Sequence, residues 1–415
     1  MMPWERRLKD LGILLRNCAS TYFDPDLFRM NTNQFLQTSR TVTFIVQKNK
    51  SDIDDFDNWY KNNVVNPWSD DKVMKWAKDS RNIIEKRGDL EINSQLDASL
   101  VFSYLEEEDI KVNVGRRELL DYGIKRLVRF AQKKLPSGIS DATVLKVSRT
   151  WITTGLADWE LLHALVYVYG KQYEAHVKLC EHLNTSPAKD LLAPSDANSI
   201  RELALDPKYL KLKNFTDYKV KRKRIKLDPD YKPPLELESI FAELRESNKK
   251  INSLDDAIEH FLIFSKVVFT HDKYHIQMLH MFDEDWKLID QASTVFEDQA
   301  EKYIFWRSIG DRVKSQNIHA VIWISEIWHR DISGYPQKPI SKLKITGEAL
   351  MVSGIDSSGH FRQGSWEITR NSDGKNPTLS EAPCITDETE GHVPYFFAPI
   401  GRAMGGDAAN LFRQE

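Results

Sequence analysis

Hydrophobic residues near the start of the chain recur at the spacing of an α-helix. Apolar side chains are separated by three or four residues at Leu8, Leu11, Leu15 and Cys18. This spacing places them on one face of a helix. Asp24 is then suited to cap a second helix, and Pro25 to its first position, where the missing N–H removes no hydrogen bond. We therefore predict two amphipathic helices, the second with Phe28 and Phe35 on its apolar face and an end near Lys48.

A third helix is predicted to begin at Ser69 and to end at Gly88. Ser69 is a capping residue, acidic side chains follow it, and basic side chains precede the glycine, which matches the polarity of the helix dipole. Glycine readily adopts the positive φ values at which many helices stop. The dipeptide Arg81–Asn82 is therefore predicted to lie in the last turns of this helix.

The rest of the chain mixes strand-like and helical patterns. Residues 98–114 have the period-two character of a short hairpin, and a strongly apolar helix is predicted from Asp158. Farther along, the pattern predicts a helix capped by Ser253, a hairpin that turns at residues 283–285, and a hairpin around residues 356–359. The core of the sheet is predicted to contain Trp323, Trp328 and Trp366. This mixture is typical of an α+β domain with a mostly antiparallel sheet.

The pattern loosens between these two regions. Residues 187–199 are predicted to be a loop, and a basic run closed by prolines follows them. A chain of 415 residues is too long for one core, since domains contain roughly 150 residues each. We therefore predict a mainly helical domain at residues 1–184, a basic, proline-containing linker at 185–234, and an α+β domain of unknown function at 235–415.

Composition limits the class of protein. Hydrophobic residues make up 41% of the chain and charged residues 29%, as in an ordinary globular protein. The net charge of −3 gives no global attraction to nucleic acid or membrane. The three cysteines are an odd number and widely spaced, which argues against a disulfide framework. No apolar run approaches the roughly 18 residues of a membrane span, so we expect a cytoplasmic protein without a membrane partner.

One motif resembles a known family. The segment KDSRNIIEKRGDLE, residues 78–91, places Arg81 and Asn82 shortly before the basic Lys86 and a Gly-Asp-Leu stop. Together with the preceding helices it resembles the HEPN-like helical proteins of bacteria, many of which are RNA-cleaving toxins or parts of antiviral systems. The resemblance covers residues 1–184. It implies a helical bundle and a homodimer through this domain, with the motif helices near the two-fold axis.

The family motif continues with a histidine where this chain has Lys86. An imidazole with a pKa of roughly 6.5 can take and give protons at neutral pH, whereas lysine, near roughly 10.4, stays protonated. The resemblance therefore implies that Arg81 and Lys86, with Asn82 and Arg87 beside them, bind RNA or another phosphate-bearing ligand. Alternatively, Arg81, Asn82 and Lys86 hold a dimer face together. One alternative is a metal-independent endoribonuclease that uses Arg81, Asn82 and Lys86. Another is a structural ion pair between Arg81 and Glu85 with no chemistry.

A second candidate for nucleic-acid binding is the basic run in the predicted linker. It contains Lys221, Arg222, Lys223 and Arg224. These side chains could contact a phosphate backbone, but the run has no interleaved aromatic residue for stacking, and a solvated linker is the competing interpretation.

No metal site or cofactor is predicted. His271, His275 and His280 are close in sequence, but the first is followed by aspartate rather than by the glutamate of a zinc-protease motif. The sequence thus predicts a cytoplasmic bacterial interaction or nucleic-acid-binding protein. With the resemblance, it is expected to be a component or regulator of a phage-defence or toxin–antitoxin system.

Overall fold

The computed structural model describes residues 2–114, 117–213, 216–218, 239, 251–371, 376–387, 389 and 392–412. The chain divides into two compact units. Unit 1 comprises Met1–Ala98, Val112–Ile124 and Val147–Lys208, and unit 2 comprises Ser99–Lys111, Lys125–Lys146 and Tyr209–Glu415. Of the residues that the structure describes, 52% are helical and 21% lie in strands, which confirms the α+β class. The predicted domain boundaries at residues 184 and 234 stay predictions.

Helices and strands are numbered along the chain. The helices are α1 (Pro3–Ser20), α2 (Pro25–Lys48), α3 (Phe56–Tyr60), α4 (Asn66–Ser69), α5 (Lys72–Arg87), α6 (Arg117–Lys134), α7 (Ser137–Ser140), α8 (Leu161–His182), α9 (Pro194–Leu205), α10 (Leu254–Asp272), α11 (Gln299–Gln316), α12 (Ala398–Met404) and α13 (Gly406–Asn410). The strands are β1 (Ile92–Val101), β2 (Ile110–Val114), β3 (Val144–Thr153), β4 (Lys208–Lys211), β5 (Thr216–Tyr218), β6 (Met278–Phe282), β7 (Leu288–Ser293), β8 (Ala320–Arg330), β9 (Ile345–Asp356), β10 (Phe361–Thr369), β11 (Thr378–Leu379) and β12 (Cys384–Asp387).

The first two helices follow the predicted apolar pattern. The fully buried side chains of α1 include Leu8, Leu11, Leu15 and Cys18. On α2, Phe28 and Phe35 are also fully buried, and the helix ends at Lys48. The Asp24 carboxylate accepts a hydrogen bond from the Leu27 N–H at 3.1 Å, which is the capping contact expected of this residue. Both predicted helices are confirmed.

The predicted cap of the third helix is wrong. Ser69 ends the short helix α4, and α5 is capped by Asp71, whose carboxylate accepts two backbone N–H groups of the first turn at 2.9 Å. Asp71 immediately precedes the first residue of α5, so its side chain reaches these N–H groups, whereas Ser69 lies too early. The predicted end is confirmed, because α5 ends at Arg87 and Gly88 has a φ of +112°.

Helix α8 is central to the core of unit 1. Its fully buried side chains include Leu161, Leu162, Leu165, Val168 and Tyr169. The Tyr169 hydroxyl donates a hydrogen bond to the Leu192 carbonyl at 2.7 Å, so the polar end of this buried ring has a partner. Trp151 of β3 stacks on Phe28 with ring centroids 4.9 Å apart. The predicted buried helix is confirmed, although it begins at Leu161.

Strands occur in the part of the chain predicted to be a helical bundle. A five-stranded sheet has the order β2-β1-β3-β4-β5, and β1 and β3 are each 10 residues long. The predicted hairpin at residues 98–114 corresponds to the end of β1 and to β2, its neighbour in the sheet. Because β1 and β3 interrupt the helices of residues 1–184, a HEPN-like bundle is not confirmed.

Unit 2 is built on a seven-stranded sheet. The strand order is β11-β10-β9-β8-β6-β7, with β12 also paired to β10, and these pairings are antiparallel. Neighbouring residues face opposite sides, so that Ile322 and Val352 pack with α10, whereas Val321 and Met351 pack with α11. The predicted hairpins at residues 283–285 and 356–359 are confirmed as β6–β7 and β9–β10.

Two further predictions are corrected. Trp323 and Trp366 are buried as predicted, but Trp328 is 59% exposed, because it lies near the end of β8, where its ring contacts the Arg330 guanidinium at 5.5 Å. The predicted loop at residues 187–199 contains the start of α9, for which Pro194 supplies a favourable first residue.

The basic run of Lys221, Arg222, Lys223 and Arg224 lies outside the described residues. Within the described chain, no helix combines the length and apolar character needed to cross a bilayer.

Candidate functional site

The residues of the Arg-Asn motif lie at the end of α5. The Arg81 guanidinium contacts the Glu85 carboxylate at 2.6 Å and donates a hydrogen bond to the Asn82 side-chain oxygen at 3.1 Å. Lys86 and Arg87 are exposed in the last turn of the helix. Arg81 therefore forms the ion pair that the sequence offered as the structural alternative. The binding roles of Arg81, Lys86 and Arg87 stay predictions.

A larger concentration of ionisable side chains lines a cleft in unit 2. The cleft has a volume of about 450 Å³. Its walls come from the start of α10, the β6–β7 turn, the β9–β10 turn and the end of β12. The ionisable residues that line it are Asp255, His319, Asp356, His360, Arg362 and Asp387. We refer to this site as the acidic cleft.

Asp356 holds the β9–β10 turn in shape. It is only 4% exposed. Its Oδ1 accepts hydrogen bonds from the Ser358 N–H at 3.0 Å, the Ser358 hydroxyl at 2.9 Å and the His360 N–H at 3.2 Å. Gly359 completes the turn with a φ of +82°, which favours glycine. The turn therefore places a fixed carboxylate at the base of the acidic cleft.

Arg362 connects two further carboxylates. Its Nε lies 3.2 Å from Asp255 Oδ1 at the start of α10, and its Nη1 lies 3.6 Å from Asp387 Oδ2 at the end of β12. The Asp255 side chain is 70% exposed and that of Asp387 is 30% exposed. Both carboxylates are thus reachable from solvent although they contact Arg362.

Trp286 forms an aromatic wall of the acidic cleft. Its ring centroid lies 5.6 Å from that of His319, at an interplanar angle of 87°, and 6.0 Å from that of Phe282. His319 Nδ1 is hydrogen-bonded to the Ser357 hydroxyl at 2.7 Å. The φ of Trp286 is +60°, which is unusual for a bulky residue, and such strained positions are concentrated at functional sites.

The charges of the acidic cleft favour a cation. With the histidines neutral, three aspartates and one arginine give a net charge of −2. The start of α10 offers little to an anion, because Ser253 caps it by accepting the Asp256 N–H at 3.1 Å and because Asp255 and Asp256 occupy its first turn. An aromatic ring among carboxylates is a typical environment for an ammonium or guanidinium group.

The sequence predicted one part of this cleft. The hairpin around residues 356–359 was recognised from its Asp-Ser-Ser-Gly turn. The sequence did not single out Asp255, Arg362 or Asp387, since these residues are far apart in the chain and meet only when α10, β10 and β12 pack together. The hydroxyl of Ser325, which lies close in sequence to His329 and Asp331, donates a hydrogen bond to the Glu326 carbonyl at 2.9 Å.

The fold and the cleft define an α+β protein of two units with an acidic cleft in the second. A family model described as bacteriophage lambda protein ea47 matches residues 2–193 and 210–411. Protein ea47 of Escherichia phage lambda is 44% identical over 409 residues, which are 99% of this chain and 98% of that protein. No solved structure matches the chain. The chain therefore belongs to the phage lambda Ea47 family and is similar to a phage protein.

The resemblance to HEPN proteins is wrong. Both the family match and the relative assign the chain to the Ea47 family across nearly its whole length. The motif misled because Arg81, Glu85 and the basic turn before Gly88 also form an ordinary helix end with an internal ion pair. The endoribonuclease alternative and the bacterial origin were implied by that resemblance and lose their basis with it.

Proposed function

We propose that this phage-associated protein is an interaction protein whose acidic cleft binds a lysine or arginine side chain of a partner protein. The observation that supports the proposal most directly is the net charge of −2 beside the Trp286 ring. A partner's cation would approach the exposed Asp255 carboxylate and the aromatic face together.

The dimensions of the acidic cleft agree with such an anchor. Its volume of about 450 Å³ is within the range of roughly 300–1,000 Å³ that is typical of small-molecule sites, so it can admit the end of one long side chain. Arg362 already neutralises one negative charge of the cleft, so that two remain for an incoming cation. Because Asp356 is fixed by its turn, little reorganisation is needed on binding.

A direct test uses a short fluorescein-labelled lysine-rich peptide and fluorescence anisotropy at low salt. We expect the double variant Asp255→Asn, Asp387→Asn to weaken binding by about tenfold or more, or roughly 1.4 kcal/mol. Trp286→Leu should also weaken it, since the cation loses its aromatic contact. Free spermidine, as a competitor, distinguishes a small polyamine ligand from a peptide.

The matched control is Asp272→Asn at the opposite end of α10, where the side chain contacts only the neighbouring His271 among the described partners. This variant should bind the peptide like the unaltered protein. An equal loss in Asp272→Asn would reduce the binding to general surface charge and contradict the proposal. RNA binding lost in Arg81→Ala would instead support the phosphate-bearing ligand predicted from the sequence.

A further inference from the structure

Three side chains of types that commonly ligate metal ions converge in the interior of unit 1. Glu5 comes from the first turn of α1, and His176 and Cys180 lie four residues apart on α8, which places them on the same face of that helix. Glu5 is 5% exposed, and His176 and Cys180 are each 4% exposed. One oxygen, one nitrogen and one sulfur donor therefore meet where these helices pack.

The distances between the donor atoms match those around a zinc ion. His176 Nε2 lies 3.2 Å from Glu5 Oε1 and 3.4 Å from Cys180 Sγ, and the three donor atoms are all within 4.8 Å of one another. Tetrahedral zinc with its usual bond lengths separates nitrogen from oxygen by roughly 3.3 Å and nitrogen from sulfur by roughly 3.5 Å. Cys180 Sγ also lies 4.0 Å from Nδ1 of the same ring, so the thiol must turn toward the ring edge that carries the Nε2 lone pair before both atoms can bind one ion.

Hydrogen bonds hold the Glu5 carboxylate at this cluster. His176 Nε2 lies 3.2 Å from Glu5 Oε1, within hydrogen-bond distance. The Glu5 carboxylate is also oriented by the Ala188 N–H, at 3.2 Å from Oε1, and by the Met2 N–H, at 2.8 Å from Oε2. Metal-binding carboxylates are commonly held by such outer hydrogen bonds.

The charges also favour a divalent cation. A Zn²⁺ ion bound by one carboxylate, one thiolate and one neutral imidazole has no net charge.

We propose that Glu5, His176 and Cys180 bind a zinc ion that links α1 to α8. Binding replaces the S–H bond of Cys180 with a sulfur–zinc bond and releases one proton to solvent, with no change in oxidation state. Three protein ligands leave the fourth tetrahedral position to a water molecule, and the burial of all three side chains favours a structural role.

Cobalt substitution in the full chain tests this site. After removal of metal with a chelator, CoCl₂ should produce a near-ultraviolet thiolate-to-cobalt band, and one equivalent of ZnCl₂ should abolish it. The band should be absent in Cys180→Ser and retained in Cys384→Ser, which removes an exposed thiol elsewhere in the chain. Zinc should raise the melting temperature of the unaltered protein but not that of Cys180→Ser.

A second variant keeps the test decisive if Cys180→Ser does not fold. Glu5→Gln leaves the thiol in place and should reduce zinc affinity by about tenfold or more in a competition with a chromophoric chelator. The proposal would be overturned if the unaltered protein gave no cobalt band or if Glu5→Gln left the zinc affinity unchanged. A band lost equally in Cys384→Ser would also overturn it.

Discussion

The carboxylate of Glu5 is buried in the core of unit 1, whereas that of Asp255 is open to solvent at the acidic cleft of unit 2. Glu5 is almost fully buried where α1 packs with α8, and its carboxylate is in contact with His176. Asp255 also contacts a basic side chain, Arg362, but 70% of it is exposed. A carboxylate in contact with a basic group therefore occurs in both units, in two very different environments.

This difference in solvation decides what each contact contributes. Removing one member of a buried pair leaves the other polar groups without partners and away from water, which is strongly destabilising. An exposed pair is replaced by water at little cost. We therefore expect substitutions at Glu5 to act on folding, and substitutions in the acidic cleft to act on binding.

The largest effect is expected from Glu5→Ala. Without zinc, it should lower the free energy of unfolding by about 3–5 kcal/mol, because His176 and two backbone N–H groups lose a buried acceptor. Asp255→Ala is the matched substitution and should lower it by at most about 1 kcal/mol. Urea denaturation in the presence of a chelator measures both. Equal losses of unfolding free energy in the two variants would contradict the expected difference between the buried and the exposed carboxylate.

The second prediction concerns a buried histidine of unit 2 and the dependence of the free energy of unfolding on pH. Burial lowers the pKa of the His280 imidazole from 6.5 to about 4. The unfolded chain therefore binds more protons between these pH values, so stability present above pH 6.5 is lost as the pH falls toward 4. The free energy of unfolding that is lost through protonation of His280 is about 3 kcal/mol over this pH range.

His280→Asn should flatten this dependence, because it keeps a polar partner for Gln291, whose side chain is 2.8 Å from His280 Nδ1, but removes the titrating ring. Denaturant unfolding of both proteins between pH 7 and 4 supplies the comparison. A variant that loses stability as steeply as the unaltered protein would assign the effect to other groups.

The smallest effects are expected from two glycines. At Gly354 of β9, an added Cβ would lie 2.5 Å from Ile322 Cδ1 and 2.9 Å from Leu254 Cδ1, where α10 meets the sheet beside the acidic cleft. Gly354→Ala should therefore lower the free energy of unfolding by about 1–3 kcal/mol and weaken binding of the lysine-rich peptide.

Gly170 on α8 is the control in unit 1. Its added Cβ would meet no heavy atom within 4 Å, so Gly170→Ala should stabilise the protein by about 0.5–1 kcal/mol. Thermal unfolding shows directly whether each of the two variants is stabilised or destabilised. A stabilising Gly354→Ala would show that α10 can move away from the sheet without loss.

Local patterns were the most reliable part of the prediction. The period of Leu8, Leu11 and Leu15, the cap at Asp24 and the turn at residues 356–359 each depend on residues a few positions apart. For the same reason the Arg81–Asn82 motif was misleading, because a helix end with an ion pair and a degenerate motif look alike over so short a stretch.

The sequence by itself thus determined most helices, the hairpins of unit 2 and the α+β class. Only the tertiary structure brought Glu5 to His176 and Cys180, and Asp255 to Arg362 and Asp387. It also decided that Trp328 is exposed while Trp323 is buried. The physical reason is the separation along the chain of the residues that interact. Helix periodicity and caps depend on near neighbours in the sequence, whereas the burial of a side chain and the meeting of distant residues depend on which elements pack together.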